Sequence, residues 1–255
     1  MKTVGIIPAR LQSTRLPRKL LLTETGFPLI QYVWQTAVSC AALDDVIVAT
    51  DSEEIAATVR GFGGRAELTG DHPSGTDRIA EVVRRCCQDA DVIVNLQGDE
   101  PELPVDTVEQ LVHEIRSSGH EMATVAAPMT SAAMVRDPSC VKVVTDVNGR
   151  ALYFSRSPVP FSRDRAIEDC FEEDAPSPWL LHVGLYAYRR DFLLRLTSMP
   201  PSPLEQLEKL EQLRALQAGA GIGVAIVHHA AAGIDTPEDY AAFVQRCSTR
   251  QRRVA

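Results

Sequence analysis

The chain has 255 residues, of which 45% are hydrophobic, and a formal net charge of -8 at pH 7. This composition is typical of a folded globular protein rather than a disordered one. The acidic balance argues against a general nucleic-acid binder, because that affinity comes mainly from cationic side chains. The sequence has no apolar run of membrane-spanning length and no signal-like start. We therefore expect a cytoplasmic protein without a nucleic-acid or membrane partner.

The first half of the chain alternates apolar, strand-like runs with segments of helical periodicity. Strands are predicted at residues 3–8, 45–50, 65–69 and 92–96, and helices at 29–41, 52–62, 76–87 and about 107–117. This alternation is typical of a parallel sheet with helices on its faces. These segments are therefore predicted to be Rossmann-like βα units.

After about residue 120 the pattern favours antiparallel pairing. Segments 141–145 and 150–155 flank Asn148-Gly149, a strong hairpin signal. A loop or lid rich in Pro, Asp and Glu is predicted at 156–178, followed by a strand at 182–189, a helix at 203–217, a strand at 224–227 and a helix after Pro237. We expect a single α/β domain over 1–245, with a mixed, mostly parallel sheet, an antiparallel insertion and lid at about 120–200, and a frayed tail at 246–255.

A cluster of positive charge follows the first predicted strand. Arg10, Arg15, Arg18 and Lys19 occur there with no acidic residue among them. Open α/β sheets bind ligands at this carboxyl end of their strands. Because Arg binds phosphate oxygens bidentately and Lys supplies a mobile charge, Arg10, Arg15 and Lys19 are candidates to hold a triphosphate. A solvated basic loop is the alternative.

Two carboxylates also follow predicted strands. Asp99 ends the most apolar strand, and Asp235 lies in a Gly-Ile-Asp-Thr-Pro segment. A helix cap is the alternative for each of them. If the two converge, their repulsion requires a cation, and Mg²⁺ binds oxygen ligands that it shares with substrate phosphates. Together with the basic loop, they predict magnesium-assisted chemistry on a nucleotide.

Four further residues are candidates to recognise polar groups, and each has a plainer structural alternative. Ser74 precedes a predicted helix and either reads a base or ribose or caps the turn. His182 and Tyr186 share one face of a predicted strand, where a histidine is often only a hydrogen-bonded core group. Glu205 either binds hydroxyls or is a solvated first-turn glutamate.

Eight segments, taken in order, closely resemble the motifs of the 3-deoxy-manno-octulosonate cytidylyltransferase family: IIPARLQSTRLPRK, VATDSEEI, SGTDR, VNLQGDEP, ALYFSRSPVP, HVGLYAYR, PSPLEQLEKLEQLR and GIDTPEDY. The resemblance covers Val4 to about Tyr240. It implies a Rossmann-like nucleotidyltransferase fold with an inserted antiparallel part used for dimerisation. It also implies transfer of CMP from CTP to the anomeric hydroxyl of 3-deoxy-D-manno-octulosonate (Kdo) for lipopolysaccharide biosynthesis, with Mg²⁺ as cofactor, by a cytoplasmic homodimer.

The resemblance also implies roles for individual residues. Lys19, Asp99 and Asp235 would be catalytic, with Asp99 and Asp235 as the magnesium ligands. The nucleotide would be bound by Arg10, Arg15, Lys19, Ser74, Arg78 and Gln97. The sugar pocket would be lined by Gln97, Arg156, His182, Tyr186, Glu205 and Gln206.

The basic loop departs from the family's usual R-L-P-G-K-P at two positions. Arg18 stands in place of Gly, and Leu20 stands in place of Pro. Since a glycine often marks backbone freedom or close approach of a ligand, Arg18 calls the path of the loop into question. Gln206 occupies a pocket position that varies in the family and could tune recognition of the sugar tail.

Several alternatives stay open at the level of sequence. The nearest are related cytidylyltransferases that act on the 8-amino analogue of Kdo, on sialic acid or on methylerythritol phosphate. A nucleotide-binding scaffold without catalysis is a different class, against which Lys19, Asp99 and Asp235 argue. A glycosyltransferase is disfavoured because Asp99-Glu100-Pro101 is not the expected D-x-D.

Overall fold

The structure is a computed structural model that describes residues 1–171, 177–228 and 230–254, the side chains of 250–254 excepted. The strands are β1 (Thr3–Ala9), β2 (Asp45–Thr50), β3 (Arg65–Leu68), β4 (Val92–Asn95), β5 (Met122–Pro128), β6 (Lys142–Thr145), β7 (Ala151–Ser155), β8 (Leu180–Arg189) and β9 (Ile222–Ile226). The helices are α1 (Leu29–Ser39), α2 (Glu53–Gly61), α3 (Gly75–Cys86), α4 (Val105–Ser117), α5 (Ala132–Arg136), α6 (Arg190–Leu196), α7 (Pro203–Glu208), α8 (Gln212–Gln217) and α9 (Pro237–Val254).

The chain divides into two compact units, and the first comprises residues 1–108 and 231–255. Its strands are parallel and follow the order β3-β2-β1-β4. Ile6, Ile47 and Ile93 in the middle of these strands are fully buried, as expected for a sheet covered on both faces. The predicted βα units are confirmed. Because β1 and β4 are adjacent and parallel, the segments that leave their carboxyl ends begin side by side.

The second unit comprises residues 109–230 and contains a mixed sheet. Strand β5 pairs antiparallel with β8 and parallel with β9, and β6 pairs antiparallel with β7 and β8. The predicted hairpin between β6 and β7 is confirmed, with Gly149 at a φ of 79° in its turn. The β5–β8 pairing shifts register between Thr124 and Val125, so that two residues of β8 bulge out of the ladder.

Three of the predicted segments have a different structure from the one expected. The helix predicted at 203–217 is two short helices, α7 and α8, separated where Lys209 adopts a left-handed φ of 55°. The backbone of α9 is helical through Val254, past the point at which a frayed tail is predicted. Within the predicted lid, 168–171 form a 3₁₀ turn, whereas 172–176 lie outside the described residues. Among the described helices, none has both the length and the apolar character needed to cross a membrane.

Candidate active site

The first unit brings a lysine and two aspartates together at the carboxyl ends of β1 and β4. Lys19 Nζ lies 2.5 Å from Asp99 Oδ2 and 3.0 Å from Asp235 Oδ1. It also donates to the backbone oxygen of Ile234 at 2.9 Å. The Lys19 side chain is 13% exposed, whereas those of Asp99 and Asp235 are 29% and 47% exposed, so the lysine is the most buried of the three. The predicted convergence of the three residues is therefore present.

Backbone contacts fix this arrangement, and the Asp235 carboxylate takes no part in capping the helix that follows. The backbone nitrogen of Ile234 donates to the oxygen of Asp99 at 2.9 Å, which joins the two aspartate segments. Thr236 Oγ1 accepts from the backbone nitrogen of Asp239, and the Asp239 carboxylate accepts from the backbone nitrogens of Asp235 and Thr236. Thr236, rather than Asp235, therefore supplies the side-chain cap at the start of α9.

The arginines of the basic loop have different surroundings. Arg15 Nη2 lies 2.9 Å from Asp235 Oδ2. Arg10 is exposed and has no hydrogen-bond or ion-pair partner among the described residues. Arg18 adopts a left-handed conformation, with φ 56° and ψ 26°, and its guanidinium pairs with the Glu54 carboxylate. Arg18 thus keeps the backbone conformation that a glycine favours at this point, while its charge is engaged outside the Lys19 cluster.

The oxygen atoms of this site suit a magnesium ion. Asp99 and Asp235 both contact the same ammonium group, so their carboxylates already face a common cationic position. In the described part of the chain, no group of three or more acidic, histidine or cysteine side chains is arranged so that it could hold a metal ion. Mg²⁺ is commonly held by one or two carboxylates plus substrate phosphates and water, so this donor set fits.

The other predicted nucleotide residues of the first unit are partly engaged in structural contacts. Ser74 caps α3, accepting from the backbone nitrogen of Asp77 at 3.1 Å. Arg78 is buried and donates from Nη2 to Asp51 Oδ2 and from Nη1 to Thr69 Oγ1, both at 2.6 Å.

Gln97 lies two residues after the end of β4, and its backbone oxygen accepts from the nitrogen of Glu100 at 3.3 Å. Its side chain is partly exposed next to the segment that carries Asp99. Of the predicted nucleotide residues, Arg10, Arg15, Lys19 and Gln97 thus combine some exposure with a position at the strand ends.

In the second unit, His182 and Tyr186 lie on β8, and the centroids of their rings are 5.4 Å apart. His182 Nε2 lies 3.1 Å from Thr124 Oγ1. The Phe154 ring packs edge-on against the imidazole, with the two ring centroids 5.0 Å apart. Desolvation lowers the pKa of His182 to about 3, so its imidazole is neutral near pH 7. Desolvation, with smaller effects from the neighbouring Tyr188 and Glu211, raises the pKa of Tyr186 well above its ordinary value. The two side chains are therefore uncharged hydrogen-bonding groups.

The remaining predicted sugar residues are tied to the loops and helices around β7. Arg156 donates from Nε to the backbone oxygen of Glu208 at 2.7 Å and from Nη1 to that of Pro138 at 2.8 Å. Gln206 is exposed and donates to the backbone oxygen of Pro201 at 3.2 Å.

The Glu205 side chain, also predicted to bind sugar, is buried at the start of α7. It forms a capping box with Ser202 and a two-pronged ion pair with Arg214, at 2.5 and 2.7 Å. These contacts occupy both carboxylate oxygens of Glu205 within the second unit.

Comparisons with known proteins identify the family. A family model described as "Cytidylyltransferase" matches residues 4–222. A 3-deoxy-manno-octulosonate cytidylyltransferase of Syntrophobacter fumaroxidans is 50% identical over 247 residues, which cover 96% of each chain. The protein of that name from Rhodopirellula baltica is 44% identical, covering 98% of this chain and 100% of its own. The chain belongs to the 3-deoxy-manno-octulosonate cytidylyltransferase family.

A solved structure of CMP:2-keto-3-deoxy-manno-octonic acid synthetase complexed with CTP is also similar. It is 42% identical, has a TM-score of 0.89, and the match covers 98% of this chain and 100% of that one. The predicted Rossmann-like α/β nucleotidyltransferase fold is therefore confirmed for this member of the cytidylyltransferase family.

Two notable residues of this family member were missed at the level of sequence. Glu100 is buried, its Oε2 has no partner among the described residues, and burial together with the charge of Asp99 raises its pKa to about 8. Thr124 is fully buried in β5 and contacts His182. The only sequence signal for either is a polar residue within or beside an apolar run, which does not reveal its partner.

Proposed function

We propose that this protein transfers CMP from CTP to the anomeric hydroxyl of Kdo and releases pyrophosphate. The observation that carries the proposal is the Lys19 ammonium held between Asp99 and Asp235 at the carboxyl ends of β1 and β4. Such a cluster suits the handling of phosphate charge by a cation and carboxylates, and the full-length family relatives supply the substrate class.

The nucleotide is bound through its charged phosphates in this proposal. Arg10 and Arg15 are exposed on the basic loop and can form charge-assisted hydrogen bonds to phosphate oxygens. A triphosphate also offers anionic oxygens to the Lys19 ammonium, which is held by Asp99, Asp235 and the backbone oxygen of Ile234. Ser74, Arg78 and Gln97 surround the nucleoside, with Arg78 held in place by Asp51 and Thr69.

The chemical step is a direct displacement at the α-phosphorus. The bond from the anomeric oxygen to the α-phosphorus forms as the bond from the α-phosphorus to the α–β bridging oxygen breaks. Pyrophosphate leaves with that oxygen, and the hydroxyl proton passes to water. Lys19 stabilises negative charge on the transferring group and on departing pyrophosphate. Asp99 and Asp235 would hold Mg²⁺, which when bound neutralises phosphate charge and orients the leaving group. No covalent enzyme intermediate is needed.

The sugar acid is bound by residues of the second unit in this proposal. His182 and Tyr186 supply uncharged hydrogen-bonding groups on one strand. Arg156 is the proposed partner of the sugar carboxylate because a guanidinium can bind that group bidentately. Glu205 and Gln206 are the further proposed sugar-binding residues of this unit.

Pyrophosphate release by the purified protein with CTP and Mg²⁺ tests the function directly. Kdo, its 8-amino analogue and sialic acid are compared side by side, and we expect release with Kdo. Asp99→Asn should abolish release without loss of the fold, whereas Asp164→Asn, at a carboxylate 88% exposed, should leave it unchanged. Near-normal activity of Asp99→Asn would contradict the metal role. CTP binding without release on any sugar would favour a nucleotide-binding scaffold.

We also propose that the protein is a cytoplasmic homodimer that supplies activated Kdo for lipopolysaccharide biosynthesis. The support is the full-length similarity to the family. Light scattering during size-exclusion chromatography should give twice the 27.9 kDa mass of one chain. A monomer at micromolar concentration would contradict the homodimer.

A further inference from the structure

The Thr124 hydroxyl lies at a junction of three hydrogen-bond partners within the second unit. Its Oγ1 is 2.8 Å from the backbone oxygen of Leu185, 3.2 Å from that of Val183 and 3.1 Å from His182 Nε2. The side chain is fully buried, so water does not supply alternative partners. Which atom donates to which is therefore determined by these three neighbours.

A threonine hydroxyl has a single proton, and two of its three neighbours are carbonyl oxygens that can only accept. If the hydroxyl donated to His182, its oxygen would face both carbonyl oxygens with no proton between them. That arrangement would be repulsive in a buried site. The proton therefore points to a carbonyl, preferentially to the closer Leu185, and His182 must donate from Nε2 to the hydroxyl oxygen.

A neutral imidazole that carries its proton on Nε2 has an unprotonated Nδ1. The low pKa of His182, caused by desolvation, keeps the ring neutral near pH 7. No hydrogen-bond partner of Nδ1 occurs among the described residues. This nitrogen can accept a hydrogen bond from a hydroxyl, but it cannot bind a carboxylate, which offers no proton.

We propose that Thr124 is a positioning residue that holds His182 in the Nε2–H form and so presents Nδ1 to a hydroxyl of the sugar acid. The proposal rests on the proposed function, in which His182 contacts the sugar. Tyr186, whose phenol stays protonated, then adds a donor beside this acceptor. Together they distinguish hydroxyl groups by the direction of the hydrogen bond, and the carboxylate is recognised elsewhere.

The local backbone explains why a hydroxyl is needed at this position. Thr124 pairs with Tyr186 and Val125 pairs with Val183, so Gly184 and Leu185 of β8 bulge out of the ladder. The Thr124 hydroxyl lies within hydrogen-bond distance of the carbonyl of Val183, just before the bulge, and of the carbonyl of Leu185, within it. Serine would keep the donor and acceptor, whereas valine keeps the shape and removes both.

Nuclear magnetic resonance of the full chain labelled with ¹⁵N-histidine tests the tautomer independently of activity. Long-range ¹H–¹⁵N correlations separate protonated from unprotonated ring nitrogens, and His182→Gln assigns the signal. We expect Nε2 protonated and Nδ1 unprotonated in the wild type and in Thr124→Ser, and a mixture of tautomers in Thr124→Val. A wild-type ring protonated on Nδ1 would overturn the proposal.

Steady-state kinetics test whether His182 Nδ1 accepts a hydrogen bond from the sugar acid. Thr124→Val should raise KM for Kdo about three- to tenfold, the worth of one hydrogen bond, with kcat and KM for CTP changed less than about twofold. Thr124→Ser should restore the wild-type KM. An unchanged KM for Kdo in a folded Thr124→Val variant with mixed tautomers would overturn the role in sugar recognition.

A titration of the wild type keeps the test valid if Thr124→Val does not fold. Kdo is added with a CTP analogue whose α–β bridge cannot be cleaved. The Nδ1 resonance of His182 should shift on saturation, and an unshifted resonance would overturn the proposal. Failure of the proposed function would look different, because the wild type would then release no pyrophosphate while the Nε2–H signature remained.

Discussion

At the scale of the residue, Lys19 links two carboxylates that would otherwise repel each other. Lys19→Met should therefore lower the free energy of unfolding by about 1–2 kcal/mol in the presence of a chelator, less than for a fully buried pair because the aspartates are partly exposed. Mg²⁺ should restore part of this loss by binding the same two carboxylates. Denaturant unfolding with and without Mg²⁺ measures both effects.

Lys2→Met is the matched control for that experiment. Lys2 pairs with Asp89 at 2.7 Å, but both side chains are well exposed, so little stability should be lost. Equal stability of Lys19→Met and the wild type in chelator would contradict the coupling of Lys19 to the two aspartates.

Arg18 allows a second prediction at the scale of the residue, because its left-handed backbone conformation is unfavourable for any residue other than glycine. The conformation costs about 1–2 kcal/mol for an ordinary residue, whereas the exposed ion pair with Glu54 returns less than about 1 kcal/mol. Arg18→Gly should therefore raise the free energy of unfolding by about 0.5–1 kcal/mol. Glu54→Gln, which removes the ion pair alone, should lower it slightly. A destabilised Arg18→Gly variant would show that the backbone is not strained.

At the scale of the element, the Glu205–Arg214 pair joins α7 to α8 across the break at Lys209. Because both side chains are largely buried, Glu205→Gln should lower the free energy of unfolding by about 2–4 kcal/mol. Arg214→Met should lower the free energy of unfolding by about the same amount. Glu168→Gln removes an exposed pair with Arg136 and should lower it only slightly. Denaturant unfolding compares the three variants. A stable Glu205→Gln variant with a raised KM for Kdo would favour direct sugar binding over this structural role.

Helices and strands were predictable from the sequence where hydrophobic periodicity and capping residues agreed. They were less predictable where contacts with distant segments determine whether an element forms or where it ends. Strand β2 begins and ends as predicted, and Ser52 caps α2 with a bond from the backbone nitrogen of Ile55. The break between α7 and α8 has no glycine or proline to signal it. Strand β5 was not predicted, because its short Ala-rich sequence has weak strand propensity and is stabilised by its neighbours β8 and β9.

At the scale of the whole molecule, stability should depend on pH through His182. Its pKa is about 3 in the folded state and about 6.5 in an unfolded chain, so the unfolded state binds more protons between these values. Stability therefore falls as pH falls through this window. Between about pH 7 and about pH 5 the wild type should lose about 1–2 kcal/mol more than His182→Gln. Denaturant unfolding at the two pH values measures the difference.

The groups recorded around His182 support that interpretation. Thr124 and Phe154 do not ionise, and the phenol of Tyr186 stays protonated across this range. An equal loss of stability in the wild type and in His182→Gln would mean that the folded protein accepts a proton on this ring.

Some contacts of the candidate site residues could be predicted from the sequence, and others could not. The meeting of Lys19 and Asp99 follows from the parallel strands β1 and β4, whose carboxyl ends share one edge of a sheet. Asp235 reaches them through the hydrogen bond from the backbone nitrogen of Ile234 to the oxygen of Asp99, which no local pattern predicts. The partners of Arg78 and Glu205 could not be read in this way, since they depend on where distant side chains point after folding. The tautomer of His182 depends on the register shift in the β5–β8 pairing, which no local sequence pattern predicts.

The position of Asp235 along the chain has a consequence for synthesis on the ribosome. The segment that carries it belongs to the same unit as residues 1–108, although residues 109–230 are translated in between. A nascent chain therefore acquires Lys19 and Asp99 first, and the second carboxylate only after residues 109–230 have been made. Chains that stop before residue 235 lack the pair of carboxylates proposed to hold Mg²⁺, and so the competence to consume CTP arises only once Asp235 has been added.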